Sequence, residues 1–206
     1  MTASLALALA GCASPGYEKG SKAGANIQEA ANLIGAMPGR IDQTLAALND
    51  LVEKPQSDLR PQFKTFSSQL ADMESDAQNI ADARRSMAAD GKSFFAKWDE
   101  QLATIQNEDI KARSQSRKEE VAQKLQAVKL SYTQAAMSFK PFLTDLQDVQ
   151  KSLSVDLTAG GVAAMKDTAA KATQKAGPLK DSIFQVAADF KALGLAMSAV
   201  TPPPPK

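Results

Sequence analysis

The feature that most constrains this chain is the spacing of its apolar residues, which recur in steps of three and four along most of its length. Phe63, Phe66, Leu70, Met73, Ala77, Ile80, Arg84 and Met87 form one series, which resumes after Gly91 with Phe94, Trp98, Leu102 and Ile105. A second runs Ile110, Ser114, Arg117, Val121, Leu125, Val128, Tyr132, Ala135, Phe139, Phe142, Leu146, Val149 and Leu153. Val162, Met165, Ala169, Ala172, Ala176, Leu179, Ile183, Val186, Phe190, Leu193 and Met197 form a third, and Ile27, Ala30, Ile34, Met37, Ile41, Leu45, Leu48 and Val52 a fourth. A period of roughly 3.5 residues keeps one stripe of a helix facing its neighbours, whereas a strand would alternate. The spacing predicts an all-α fold, an elongated antiparallel four-helix coiled-coil bundle with helices at about 20–53, 60–106, 108–157 and 161–199.

Helix punctuation agrees with that count. Lys54-Pro55-Gln56-Ser57 ends the first helix, and Pro61 falls in the first turn of the second, where a missing N–H costs nothing. Asn107 is placed to cap the third helix, with Glu108 and Asp109 complementing its dipole. Ala159-Gly160-Gly161 reads as the break before the fourth, and Pro202 to Pro205 as its stop. Pro38, Pro141 and Pro178 lie inside helices, each removing one backbone hydrogen bond, so a kink is expected at each.

Short loops make successive long helices antiparallel neighbours, which fixes an expected register. The second and third helices pair Leu70 with Leu146, Ile80 with Ala135 and Met87 with Val128; the third and fourth pair Leu146 with Ala172 and Val128 with Phe190. The first folds back so that Ile34 meets Ile80. The same register sets Arg84 opposite Ser131-Tyr132 and Arg117 opposite Trp98, and leaves the second hairpin projecting beyond the other helices around residues 98–117. That tip carries Trp98, Lys111, Arg113, Arg117 and Lys118, an aromatic among cations that suits an anionic headgroup region or an acidic partner, with Glu108, Asp109, Glu119 and Glu120 diluting the charge.

The N-terminus adds an address. Leu9-Ala10-Gly11-Cys12 follows a short apolar run and has the form of a lipobox, in which cleavage before a lipid-modified cysteine leaves Cys12 as the anchored first residue. Residues 1–11 then read as a truncated signal peptide lacking its basic start, 12–20 as a lipidated tether, 21–200 as the bundle and 201–206 as a proline-rich tail. No apolar run approaches the roughly 18 residues of a spanning helix, so membrane attachment is expected through the lipid alone.

Composition bears on chemistry. With no histidine among 206 residues, Ser-His and Cys-His arrangements and the Glu-x-x-His ligand pair of di-iron bundles are excluded. A formal net charge of +1 offers no global field for nucleic acid. The paired acids Asp99-Glu100, Glu108-Asp109 and Glu119-Glu120 point to different helix faces and read as solvated surface. No catalytic residue, metal or cofactor is expected.

The stretches F-F-A-K-W-D-E-Q-L-A-T-I-Q-N (94–107), S-Q-S-R-K and S-Y-T-Q-A-A-M-S-F-K-P-F-L-T-D-L-Q-D (131–148), with Asn107, Arg117, Tyr132 and Pro141, resemble a family of uncharacterised Gram-negative lipoproteins known as a domain of unknown function. The resemblance covers roughly residues 17–170. It implies a lipobox protein with a long helical bundle and brings no catalytic residues. Heptads, anchor and missing site chemistry together lead to an expected role as an envelope lipoprotein, a helical scaffold, spacer or protein-interaction module. It would be held to the membrane by its lipid, in the outer membrane facing the periplasm, with an envelope protein as partner. Two alternatives stay open: a small-ligand carrier or enzyme with a pocket in the kinked bundle, and, without a functional lipobox, a cytosolic coiled-coil interaction protein. A buried polar cavity near Pro141 favours the carrier, and a dry, filled core favours the scaffold.

Overall fold

The computed structural model describes residues 16–198, so Cys12 and the proline tail lie outside the described residues. The described chain is helical with no strand: α1 (Gly16–Glu53), α2 (Arg60–Leu102), α3 (Glu108–Val155), α4 (Ala159–Ala164) and α5 (Lys166–Met197). The span expected as one fourth helix is thus two. They are divided at Met165, whose N–H turns back three residues to the Val162 carbonyl at 3.1 Å before α5 begins.

Local chemistry explains the boundaries. Asn107 caps α3 as expected, its side-chain oxygen accepting from the Ile110 N–H at 3.1 Å. Pro61 sits in the first turn of α2. The break before α4 falls earlier than Ala159-Gly160-Gly161: α3 ends at Val155, Thr158 caps α4 by accepting from Gly161 N–H at 3.1 Å, and both glycines are helical. Gly161 is needed there because a Cβ would lie 2.2 Å from the Asp156 carbonyl oxygen. At the other end, α1 starts at Gly16, inside the segment expected to be tether. α1, α3 and α5 each continue as helix through Pro38, Pro141 and Pro178 respectively.

Polar contacts show how the helices lie, with residue numbers rising along α1 as they fall along both α2 and α5. Along α1 and α2, Asn26 donates to Asp90 at 2.5 Å, Arg40 pairs with Asp76 at 2.8 Å, and Thr44 Oγ1 donates to the Gln69 carbonyl at 3.1 Å. Lys180 meets Asp42 at 2.6 Å and Asn49 meets Thr173 at 3.3 Å between α5 and α1. Lys175 pairs with Asp145 between α5 and α3 at 2.7 Å, and Gln147 donates to Glu74 between α3 and α2 at 2.6 Å. α1 and α3 each lie between α2 and α5, and α2 and α3 approach least closely of these neighbours.

The core follows the seams. Every position of the series in α1 is buried, as is every position of the third series except half-buried Met165. Two buried polar residues interrupt the apolar interior. Thr44 also donates to the Arg40 carbonyl at 2.9 Å, and Gln62 ties the α1–α2 turn through the Asp50 and Lys54 carbonyls, both at 3.0 Å, and the Gln56 N–H, also at 3.0 Å. At the end of the bundle where α1 begins, glycines let α1 and α5 nearly touch: a Cβ on Gly24 would stand 2.8 Å from the Gly194 carbonyl oxygen. Gly20 is packed as closely, against the Phe94 ring and the Met197 carbonyl, and such tertiary packing outweighs the low intrinsic propensity of the glycine-rich start of α1.

Candidate functional site

The expected tip is the end where α1 starts and α5 finishes. A Cβ on Gly16 would meet Lys97 Cγ at 3.8 Å, and the Met197 carbonyl stands beside Gly20, so α1 starts earlier than expected and covers more of this end, while α5 finishes at Met197, just short of the expected 199. Projection is correspondingly less than residues 98–117: α2 stops at Leu102, and what lies beyond is the 103–107 turn and the opening turns of α3. The second series accordingly buries nothing until Val121; Ile110 and Arg117 are exposed.

The aromatic part of this end is well organised. Phe94 and Phe95 flank Trp98, the first edge-on at 5.3 Å between centroids and the second stacked with planes 8° apart. All three rings are half-buried, and the Trp98 indole N–H donates to Ser114 Oγ at 3.0 Å, which satisfies its one donor.

The cations are placed differently from one another. Arg117 does not stack on Trp98; it pairs with Glu120 at 2.9 Å and donates to the Ala196 carbonyl at 3.1 Å. The reason is its flank of α3, which faces α5, so its guanidinium satisfies an orphan carbonyl at the end of that helix. Lys118 pairs with Asp99, and Lys111 reaches Glu108 only at 3.9 Å. Arg113 is exposed and makes no ion pair among the described residues. Of the five residues singled out from sequence, Trp98, Arg117 and Lys118 are thus engaged in holding the end together, leaving Arg113 and Lys111 outward. On the α2 side, Glu100 accepts from Lys97 at 2.8 Å, and that hydrogen bond holds its carboxyl below the usual carboxylate range.

Arg84 stands where the register put it, its guanidinium 5.1 Å from the Tyr132 ring centroid, but exposed instead of in the seam. Close by is a feature the sequence reading did not reach. An apolar cavity of about 80 Å³ lies midway along the bundle, walled by Ile34 and Met37 of α1, Ile80 of α2, Tyr132 and Phe139 of α3 and Val186 of α5. Ala77 and Ala136 complete its edge; Ala136 is exposed and Ala77 half-buried, so the cavity reaches solvent along the α2–α3 seam. It is therefore neither the polar cavity nor the filled core that were set against each other. The available signal was the concentration of alanines at 77, 135 and 136, at one level of two facing helices.

Among the described residues no cluster of three or more carboxylates or other ligating groups is arranged to hold a metal ion, and no helix is long and apolar enough to cross a membrane. No curated protein and no solved structure matches the chain. A family model does match, over residues 13–188, which takes in α1 to α4 and most of α5. The chain belongs to that family, DUF2959, described as proteins of unknown function.

Proposed function

We propose that this protein is a lipid-anchored component of the bacterial envelope that acts as a helical spacer or scaffold for a protein partner, with no catalytic activity of its own. The observation that carries this reading is that α1 starts at the end where α5 finishes, beside Gly20, Phe94 and Met197. An anchor at Cys12, four residues before Gly16, would hold the helices by that one end. At about 1.5 Å per residue, α1 would then carry the α1–α2 turn about 57 Å from the anchored end. The long helices act in this reading as one antiparallel four-membered rod, with α4 as a connector and bends at Pro38, Pro141 and Pro178 shaping its outer surface. Lys111 and Arg113 at the near end face anionic headgroups or an acidic partner.

The test is metabolic labelling with a palmitate analogue in a Gram-negative host expressing the chain with a complete leader. Label on the wild type that disappears in Cys12→Ser supports the anchor. Absence of label from both, with the protein in the soluble fraction, returns the chain to the reading of an unanchored coiled-coil interaction protein.

A further inference from the structure

Midway along the bundle, the seam between α2 and α3, the least close of the long-helix pairings, presents Ala77 and Ala136 where larger side chains would close the space. The resulting slot of about 80 Å³ has Tyr132 as its one polar lining residue. Water needs two to four polar partners, so such a space is a poor water site and a good site for an apolar guest. An engineered apolar cavity of about 150 Å³ accepts benzene. A slot of half that volume takes something narrower, a segment of an alkyl chain, and its opening along the seam lets the rest of the chain lie outward.

A charge stands at the same ring. Arg84 lies over Tyr132, which walls the slot, and among the described residues this guanidinium has no carboxylate partner. The acids nearby on α2 are committed elsewhere, Asp76 to Arg40 and Asp82 to Arg85. Apolar slot and unpaired cation together match an anionic head on an alkyl tail. The slot also lies about 27 Å along α1 from Gly16, beyond the reach of a chain belonging to a bilayer at that end. We propose that the α2–α3 slot binds the alkyl chain of a free, single-chain anionic amphiphile of the fatty-acid type, with its carboxylate beside Arg84. The choice of a free amphiphile over a bilayer lipid rests on the proposed anchoring at the Gly16 end, whereas the slot and its cation do not.

The experiment is a titration of the full chain, with labelled isoleucine methyls, by dodecanoate below its micelle concentration. Saturable shifts are expected at Ile34, Ile80 and Ile183, which line the slot, and not at Ile27 or Ile110, which do not. Ala77→Leu, filling the slot, is expected to weaken binding more than about tenfold, since several methylenes lose their burial. Arg84→Gln, at an exposed position, is expected to weaken dodecanoate by about fivefold and leave dodecanol unchanged. No saturable shift at the three slot isoleucines overturns the proposal, as does binding that Ala77→Leu leaves intact. Equal loss of dodecanoate and dodecanol in Arg84→Gln overturns the placement of the head. Shifts at the slot isoleucines with intact phosphatidylglycerol vesicles but not with dodecanoate overturn the choice of a free amphiphile.

Discussion

Gly24→Ala sets two opposing effects of comparable size against each other. Replacing a glycine inside a helix with alanine ordinarily stabilises by about 0.8–1.0 kcal/mol, because the unfolded chain has less freedom to lose. At Gly24 the new Cβ would lie 2.8 Å from the Gly194 carbonyl oxygen and 3.3 Å from the Ser198 nitrogen, both backbone atoms that no rotamer change can move. α1 and α5 must separate, loosening the packing of Ile27, Leu193 and Met197, all of them buried. Overpacking of this kind costs about 1–3 kcal/mol, and two backbone neighbours place it toward the upper end, so the net expectation is a loss of about 1–2 kcal/mol. For a domain of this size that lowers the melting midpoint by roughly 2–8 °C. Gly39→Ala is the control: it lies in the same helix with nothing within 4 Å of its Cβ, and should raise the midpoint by about 2–4 °C. Thermal unfolding followed by circular dichroism reads both. Equal stabilisation by the two substitutions would refute the close α1–α5 crossing.

Four further outcomes follow from the same contacts. Gln62→Leu removes the partner of the Asp50 and Lys54 carbonyls in the α1–α2 turn and should cost about 1–3 kcal/mol in denaturant unfolding; a neutral result would mean the turn holds without it. Trp98→Phe keeps the ring cluster but leaves Ser114 without the indole N–H, an expected loss of about 1 kcal/mol measured the same way. Arg117→Gln should speed amide exchange in the last turn of α5, where the Ala196 carbonyl loses its donor, and leave α1 unchanged. Asp58 is bonded by the Arg60 side chain and N–H, which lower its pKa; the stabilisation is present above its usual value near 4 and is lost as pH falls through the lowered one. A carboxyl titration should therefore show Asp58 moving back up toward its usual value in Arg60→Gln, and an unmoved midpoint would dismiss the pairing.

The reach of sequence reasoning depended on whether a residue's role was set by its neighbours in the chain or by another helix. Period and caps are local, so the seams of α1 and α5 were legible position by position, and Asn107 could be assigned as a cap. Register along facing helices was legible too, because apolar residues must meet apolar ones, and Arg84 over Tyr132 is its most direct result. Lateral geometry was not. Arg117 occupies a heptad position, but which neighbour its flank faces decides between Trp98 and the end of α5. Gly16 and Gly20 read as tether because glycine is a poor helix former, and only their packing against Lys97, Phe94 and the Met197 carbonyl explains their place in a helix. The cavity escaped for the same reason: alanines at 77, 135 and 136 state how little space the side chains fill, not how far apart α2 and α3 stand.

One-ended anchoring is tested most directly by quenching in vesicles. Lipidated protein is given a fluorophore at residue 106, in the α2–α3 turn, or at residue 56, in the α1–α2 turn, and is inserted into bilayers carrying a headgroup quencher. With the end bearing Gly16 at the membrane, the probe at 106 is expected to be strongly quenched and the probe at 56, about 57 Å away along α1, to be untouched. Equal quenching of the two, or stronger quenching at 56, would contradict a rod held by that end.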